Sequence, residues 1–442
     1  MQNHDHAEFD FVDESGGIRE YRLKSNGLQV LLMTENSAPV ATFMVTYRVG
    51  SRNETGGLTG ATHFLEHLMF KGSRRFNKDN GKTVFNVLQR LGAQVNATTW
   101  YDRTNYYESI PSEHLSLAIE IEADRMRGAL LREDDVASEK TVILNELDRG
   151  ENEPVRKLFH SVWSSAFVAH PYHHPTIGWR SDVENTTADG LRGFYDTYYW
   201  PNNAAASVIG DFDRHEALSL VARHFGTIKP SPQPIPEIHT VEPPQRGERR
   251  VVVRQEGQLG SVMMAFKQPP AHDADTAALD LLGAILSVGK SSRLYRSLVD
   301  PGRATHVFSS ASFLRDPGLF CLFAMLSPGV EHEEVEEIIY TDLQRVVSDG
   351  VEDTEVARSL NQLTAQYAFG RDGSFAIASQ LNEAIAAGDW RLYTTALDRA
   401  KAVTRADIQR VAGKYLVRDQ MTVGYYLPYG PSAKSNGLPN GD

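Results

Sequence analysis

Residues 62–70 read THFLEHLMF, a stretch that places three ionisable side chains in an otherwise apolar segment. An α-helix advances about 3.6 residues per turn, so His63 and His67 project from one face, one above the other. Glu66 precedes the second histidine and lies beside the pair. Buried ionisable groups need a cation or hydrogen bonds to compensate for lost solvation. The stretch is therefore either a metal-binding helix or the polar edge of a core helix.

A second predicted helix offers a third ligand, since a catalytic zinc ion commonly takes three protein ligands and leaves one position to water. The sequence DDVASEKTVILNELDRGENEP predicts a helix that begins near Asp134 or Asp135. Glu139 and Glu146 lie two turns apart on one face of it. Glu146 follows apolar residues and is the better buried candidate, whereas Glu139 is suited to orient a ligand. The alternative is a pair of solvated glutamates on a helix surface.

A proline-rich stretch divides the chain near its middle. The 442 residues exceed one ordinary hydrophobic core. Residues 229–249, KPSPQPIPEIHTVEPPQRGER, contain six prolines and predict an extended linker. We expect a zinc-binding catalytic domain over residues 1–228 and a similar domain without the zinc motif over residues 250–442.

The two halves repeat one order of predicted elements. The strand ATFMVTYRVG and a helix ending HFLEHLMFKG correspond to SVMMAFKQPP and a helix ending DLLGAILSVG. With the final glycines of these helices aligned, Asp280 and Ala284 stand where the first half has its two histidines. We expect an α+β fold of two similar domains related by duplication, each a mostly antiparallel sheet packed with helices.

The segments HFLEHLMFKGS and SEKTVILNEL resemble the pitrilysin, insulysin and mitochondrial processing peptidase family of zinc peptidases, the inverzincins with the motif H-x-x-E-H. GAQVNATTWYDRTNYY, residues 92–107, is similar to the edge-strand segment of that family. YYWPNNAAASVIGDFD, residues 198–213, is similar to the last strand of its first domain. The resemblance implies two domains that enclose a peptide-holding chamber, with one zinc ion, bound in the first domain only.

The resemblance also implies roles for single residues. It assigns zinc binding to His63, His67 and Glu146, the general base to Glu66, a supporting contact to Glu139, and pairing with an extended substrate to Asn96, Ala97 and Thr98. The implied activity is that of a zinc metalloendopeptidase, a hydrolase acting on peptides or unfolded segments. The alternative is a non-catalytic chamber or scaffold subunit, which the presence of the whole motif disfavours.

The second half departs from the family pattern. The resemblance leads us to expect an arginine followed seven residues later by a tyrosine, both contacting substrate. In RLYRSLVDPGRATHVF these places hold Val299 and His306, and neither Arg296 nor Arg303 has a tyrosine seven positions on. We therefore expect a homologous second subunit, either a different chain or a second copy, to supply the pair. The other interpretation is a complete enzyme with a modified second site.

The composition argues against several other classes. The formal net charge is −12 without a basic stripe, which disfavours nucleic-acid binding. The single cysteine, Cys321, excludes an internal disulfide and a thiolate metal cluster. We expect no membrane span. The N-terminus resembles no targeting peptide, so we expect a cytoplasmic location, or a periplasmic one if a leader was removed. Two prolines in HPYHHP, residues 170–175, predict a surface loop there.

Overall fold

The computed structural model describes residues 6–430, which group into two units. The first unit combines the chain up to Leu147 with His174–Thr240 and Ala365–Leu397. The second combines Asp148–His173, Val241–Thr364 and the chain from Asp398 onward. Each unit therefore contains one segment from the opposite half of the sequence. None of the helices within residues 6–430 has the length and apolar character that crossing a bilayer requires.

The first unit is built on a seven-stranded sheet. Its strands are β1 (Phe9–Ser15), β2 (Ile18–Leu23), β3 (Gln29–Thr34), β4 (Val40–Tyr47), β5 (Gln94–Thr99), β6 (Thr104–Pro111) and β7 (Ala204–Gly210). They follow the order β1-β2-β3-β7-β4-β6-β5, and all neighbours are antiparallel except β3 and β7. Strand β7 is buried at every position, as its small and branched apolar residues favour. Strand β5 is the edge strand nearest the predicted site.

The second unit repeats this arrangement in a five-stranded sheet. Its strands are β8 (Arg249–Glu256), β9 (Ser261–Lys267), β10 (Ala304–Ala311), β11 (Leu319–Leu326) and β12 (Met421–Tyr429). The order is β10-β11-β9-β12-β8, with β8 and β12 parallel and the other pairs antiparallel. Strand order and direction from β8 to β10 match those from β3 to β5 in the first sheet. The expected duplicated α+β fold is confirmed.

Fourteen α-helices connect and cover the strands of the described chain. The first seven are α1 (Ala61–Leu68), α2 (Val84–Gln89), α3 (Leu115–Gly128), α4 (Glu133–Glu151), α5 (Pro154–Ala166), α6 (Arg180–Asn185) and α7 (Ala188–Tyr198). The others are α8 (Arg214–Phe225), α9 (Thr276–Ser287), α10 (His332–Asp349), α11 (Asp353–Phe369), α12 (Ser374–Ala386), α13 (Arg391–Lys401) and α14 (Arg405–Tyr415). Helix α1 follows β4 as α9 follows β9, so the two helices aligned in the sequence occupy corresponding places.

Two helices pack on the sheet that belongs to the other half of the sequence. Helix α5 packs on β8, β9 and β12, and α12 packs on β4, β6 and β7. A Cβ atom on Gly424 of β12 would lie only 2.3 Å from Cγ2 of Val162 in α5, so glycine provides the space for this helix. On the first sheet, the Thr46 hydroxyl donates a hydrogen bond of 2.7 Å to Oδ1 of Asn382 in α12. Both exchanged helices therefore make specific contacts with their sheets.

Candidate metal centre

A buried carboxylate holds the N-terminus of α1, the helix that carries the histidines. Gly60 precedes the helix with φ +85°, a left-handed conformation that glycine adopts without strain. The fully buried side chain of Glu54 accepts hydrogen bonds from the backbone N–H groups of Gly60 and Thr62, both 2.8 Å long. These contacts satisfy N–H groups that a helix start leaves without a partner. Burial raises the pKa of Glu54 to about 8, although the hydrogen bonds from Thr62 and Gly60 act in the opposite direction.

A close backbone contact fixes the same end of α1. A Cβ atom on Gly178 would lie 2.5 Å from the carbonyl oxygen of Thr59, so this approach requires glycine. Asp182 accepts hydrogen bonds from the Thr59 N–H at 3.2 Å and from the Thr59 hydroxyl at 2.7 Å. The segment that precedes α7 therefore determines where α1 begins.

The prediction of a surface loop at residues 170–175 is wrong. His170 and His174 are only 3% and 2% exposed, and Tyr172 between them is completely buried. The backbone includes a short 3-10 helix, Pro171–His173. Nε2 of His170 lies 3.0 Å from Oδ2 of Asp316, which gives the buried ring a polar partner. Aromatic burial outweighs the turn preference of the two prolines.

His63 and His67 project from one face of α1, as the helical spacing predicts. Their ring centroids are 4.8 Å apart, and both side chains are partly buried. The opposite face of the helix carries Phe64, Leu65 and Leu68, which are buried in the core of the first unit. The apolar face thus fixes the helix in the core and directs both imidazoles away from it.

Glu146 of α4 completes a group of three possible metal ligands. Its Oε2 lies 3.7 Å from Nε2 of His63 and 3.8 Å from Nε2 of His67. All three ligand atoms lie within 4.8 Å of one another. The expectation that Glu146 is the better buried glutamate is wrong, because its side chain is 39% exposed whereas that of Glu139 is 6% exposed. The structure nevertheless brings together all three residues proposed as ligands.

Glu139 lies behind the histidine pair and contacts one ring. Its Oε2 is 3.0 Å from Nδ1 of His67, and its Oε1 forms an ion pair with Lys71. A carboxylate at Nδ1 favours the tautomer that carries its proton there, which leaves Nε2 free to act as a ligand. The structure therefore places Glu139 where it can orient His67.

The donor set fits a zinc ion. Two imidazole nitrogens and one carboxylate oxygen are common zinc ligands, with bonds of about 2.0–2.2 Å. In a tetrahedron such bonds separate the ligand atoms by about 3.3–3.5 Å. The separations of 3.7 and 3.8 Å from Glu146 to the histidines exceed this, and all three ligand atoms lie within 4.8 Å of one another, so the group would contract around a bound ion.

Glu66 lies on α1 beside the three ligand atoms without being one of them. Its Oε2 accepts a hydrogen bond of 2.5 Å from the hydroxyl of Thr99. Burial raises the pKa of the Glu66 carboxyl, while the hydrogen bond from Thr99 opposes that rise. Glu66 is therefore held beside the ligand atoms with one oxygen hydrogen-bonded, a position from which a carboxylate can act as a general base.

The three residues proposed to pair with substrate lie on edge strand β5. They occupy consecutive positions, with Asn96 and Thr98 exposed and Ala97 buried. Strand β5 pairs with β6 on one side and is the last strand of the sheet order on the other. Within the described chain, its outer edge is therefore available to an added strand.

The two departures from the family's second signature lie in the second unit. Val299 ends a short π-helix, Tyr295–Val299, and packs against the second core. His306 is exposed on β10, next to a bulge in the pairing with β11. Arg303 is held in an ion pair with Glu334 at 2.5 Å. Arg296 is exposed on the same π-helix.

Two polar residues that support the site, Glu54 and Thr99, were not predicted from the sequence. Glu54 is nine residues before the first histidine in a polar segment without periodicity, so nothing in its surroundings indicates a helix cap. Thr99 follows the three proposed substrate-binding residues directly. Strand alternation could have separated its side chain from that of Thr98 and directed it to the opposite face.

Several known proteins that resemble this chain are named as proteases or peptidases. Residues 29–179 match the family model described as Insulinase (Peptidase family M16), and residues 185–363 match Peptidase M16 inactive domain. The zinc protease PqqE of Helicobacter pylori is 31% identical over 408 residues, covering 91% of this chain and 91% of that protein. The probable mitochondrial-processing peptidase subunit beta of Arabidopsis thaliana is 24% identical, covering 91% of this chain and 77% of that protein. The crystal structure of a protease from Helicobacter pylori matches with a TM-score of 0.88 and 30% identity, covering 93% of this chain and 99% of that one.

Proposed function

Because this chain belongs to the M16 family of peptidases, we propose that it is a zinc-dependent endopeptidase acting on peptides or unfolded segments. The observation that carries the proposal is the convergence of His63, His67 and Glu146, with Glu66 beside them on α1. A scaffold subunit would need neither three converging ligand atoms nor a partly buried carboxylate next to them. We assign one zinc ion to this group.

The proposed reaction is hydrolysis of a peptide bond. A bound zinc ion would supply Lewis-acid activation of the scissile carbonyl and lower the pKa of water at the site. Glu66 removes a proton from the attacking water and delivers it to the nitrogen of the leaving amine, so the C–N bond breaks and a C–O bond forms. Glu139 keeps the ring of His67 oriented through its 3.0 Å contact with Nδ1.

Substrate is proposed to bind as an extended strand along the outer edge of β5. The segment of Asn96, Ala97 and Thr98 would pair with it, and the hydrogen bonds would come from backbone groups of β5 that point away from β6, as in other cases of strand addition. Backbone hydrogen bonds depend little on the side chains of the substrate, so this segment is expected to accept many substrate sequences. The bond from Thr99 to Glu66 connects this strand with the proposed base.

We further propose that the chain is the zinc-bearing subunit of a two-chain enzyme. Val299 and His306 occupy the places where an arginine and a tyrosine were expected to contact substrate. A homologous second subunit, which can be a different chain or another copy, would supply that pair. Purified alone, this chain should hydrolyse peptides slowly, and the chain that co-purifies from the native host should raise the rate. High turnover by the single chain, unchanged by any partner, would rule out this part of the proposal.

The variant Glu66→Gln tests the catalytic assignment. It removes the base but keeps the size of the side chain, so zinc content should match that of the wild type while hydrolysis falls by about 10²–10⁴-fold. Glu113→Gln, an exposed carboxylate on the same unit, is the matched control and should keep both properties. Wild-type rates for Glu66→Gln on every substrate tested would show that the base is a different group.

A further inference from the structure

The orientation of Glu66 depends on one hydrogen bond. Thr99 Oγ1 donates to Oε2 of Glu66 at 2.5 Å, and the structure shows no other hydrogen bond to this carboxylate among the residues it describes. Hydroxyl-to-carboxylate bonds of this length belong to the strong, charge-assisted class. Oε1 of Glu66 has no such partner and remains available to water.

The backbone around Thr99 holds its hydroxyl in place. Thr99 is the last residue of β5 and pairs with Thr104 of β6. The hairpin closes with a hydrogen bond of 2.9 Å from the Trp100 N–H to the carbonyl of Arg103. Threonine is also β-branched, which restricts rotation about its first side-chain bond. The donor is therefore set by the sheet rather than by a mobile loop.

A second contact ties this hairpin to the exchanged helix α12. Nη1 of Arg103 donates to the carbonyl of Thr98 at 3.1 Å, and its Nε donates to Oε1 of Glu383 at 2.9 Å. Glu383 belongs to α12, which also packs on β4, β6 and β7. The end of β5 is thus anchored on the side away from α1.

We propose that Thr99 is a positioning residue, which holds one oxygen of Glu66 so that the other faces the attacking water. This inference rests on the proposed peptidase function and adds a residue to it. Since Thr99 ends the strand along which substrate is expected to pair, a displacement of β5 by substrate would also move the base. A carboxylate released from Thr99 would sample several rotamers, and a misplacement of about 1 Å can cost about 10²-fold in rate.

The test compares Thr99→Val with Thr99→Ser in the full enzyme, assembled with its co-purifying partner if one is required. Valine keeps the branched shape and removes the hydroxyl, whereas serine keeps the hydroxyl. We expect Thr99→Val to lower kcat by about 10–100-fold, with KM and zinc content unchanged. Thr99→Ser should recover most of the rate. Thr34→Val, which changes the exposed final residue of β3, is the matched control and should behave as the wild type.

A readout without activity comes from crystal structures of the zinc-free variants. Glu66 should have one conformer in the wild type and in Thr99→Ser, and at least two in Thr99→Val. An ordered Glu66 in Thr99→Val, or a kcat within about twofold of the wild type, would overturn the inference while leaving the peptidase proposal intact. A loss confined to KM or to zinc content would overturn it as well. A wild-type enzyme without zinc-dependent hydrolysis would remove the proposed function and this inference together.

Discussion

Replacing Glu139 by glutamine should weaken zinc binding although Glu139 is not itself a proposed ligand. The 6% exposed carboxylate contacts Nδ1 of His67 with one oxygen and the Lys71 ammonium with the other. A glutamine has one amide oxygen and one NH₂ group, so in either orientation the NH₂ group faces a donor. Loss of such a partner typically lowers metal affinity by about 10–100-fold. That range corresponds to about 1.4–2.7 kcal/mol of binding free energy.

The assay is a competition titration of the purified chain against a fluorescent zinc chelator, with circular dichroism to confirm folding. Glu133→Gln, an exposed carboxylate at the start of the same helix, is the control and should bind zinc as the wild type does. The double variant Glu139→Gln/Lys71→Met removes one of the two opposed donors and should recover part of the affinity. The reasoning is refuted if Glu139→Gln binds zinc within about twofold of the wild type.

Three further predictions concern stability, each measured by urea unfolding. Burial raises the pKa of Glu54 to about 8 in the folded state, so between about pH 5 and pH 8 the folded chain binds a proton that the unfolded chain has lost. The free energy of unfolding should therefore fall over this range, by at most about 1.4 kcal/mol per pH unit. Glu54→Gln should remove this dependence, and an unchanged pH profile in the variant would contradict the prediction. Burial lowers the pKa of Lys267 to about 7, so the free energy of unfolding should rise between about pH 7 and pH 10. Lys267→Met should flatten that rise, and an equal rise in the variant would contradict the prediction. Gly424→Ala places a Cβ 2.3 Å from Val162 and 2.8 Å from Leu158 and should cost about 1–3 kcal/mol; no loss would mean that α5 is packed differently.

The part of the site that could be predicted from the sequence is the part that one helix determines. His63 and His67 share a face because helical geometry is local, and the structure puts their rings 4.8 Å apart. The role of Glu146 depended on two helices meeting, which spacing within one helix cannot reveal. Glu146 is the more exposed of the two glutamates, and the contacts that bury Glu139 against His67 and Lys71 are not visible in the sequence.

The supporting residues escaped prediction because their partners are not encoded locally. The conformation of a polar loop brings Glu54 to the start of α1. Its side chain is buried there, whereas a glutamate in a polar loop is expected to be exposed. The packing of α5 and α12 on the sheet of the other half was not predictable either. The pattern of an amphipathic helix indicates that one face is buried, but not which sheet covers that face. The repeated succession of strand and helix in the two halves was predictable, since alternation and strand propensity act over short stretches. The order of the strands within each sheet was not, because it pairs segments that lie far apart in the sequence.

The zinc content of the chain tests the central claim most directly. Wild-type protein and the variant His67→Ala would be stripped with a chelator, equilibrated with zinc, freed of excess metal and analysed by mass spectrometry. We predict one tightly bound zinc ion per wild-type chain and none in His67→Ala, with both proteins folded. Folded wild-type protein that retains no zinc, or a variant that retains as much as the wild type, would contradict the assignment of this site.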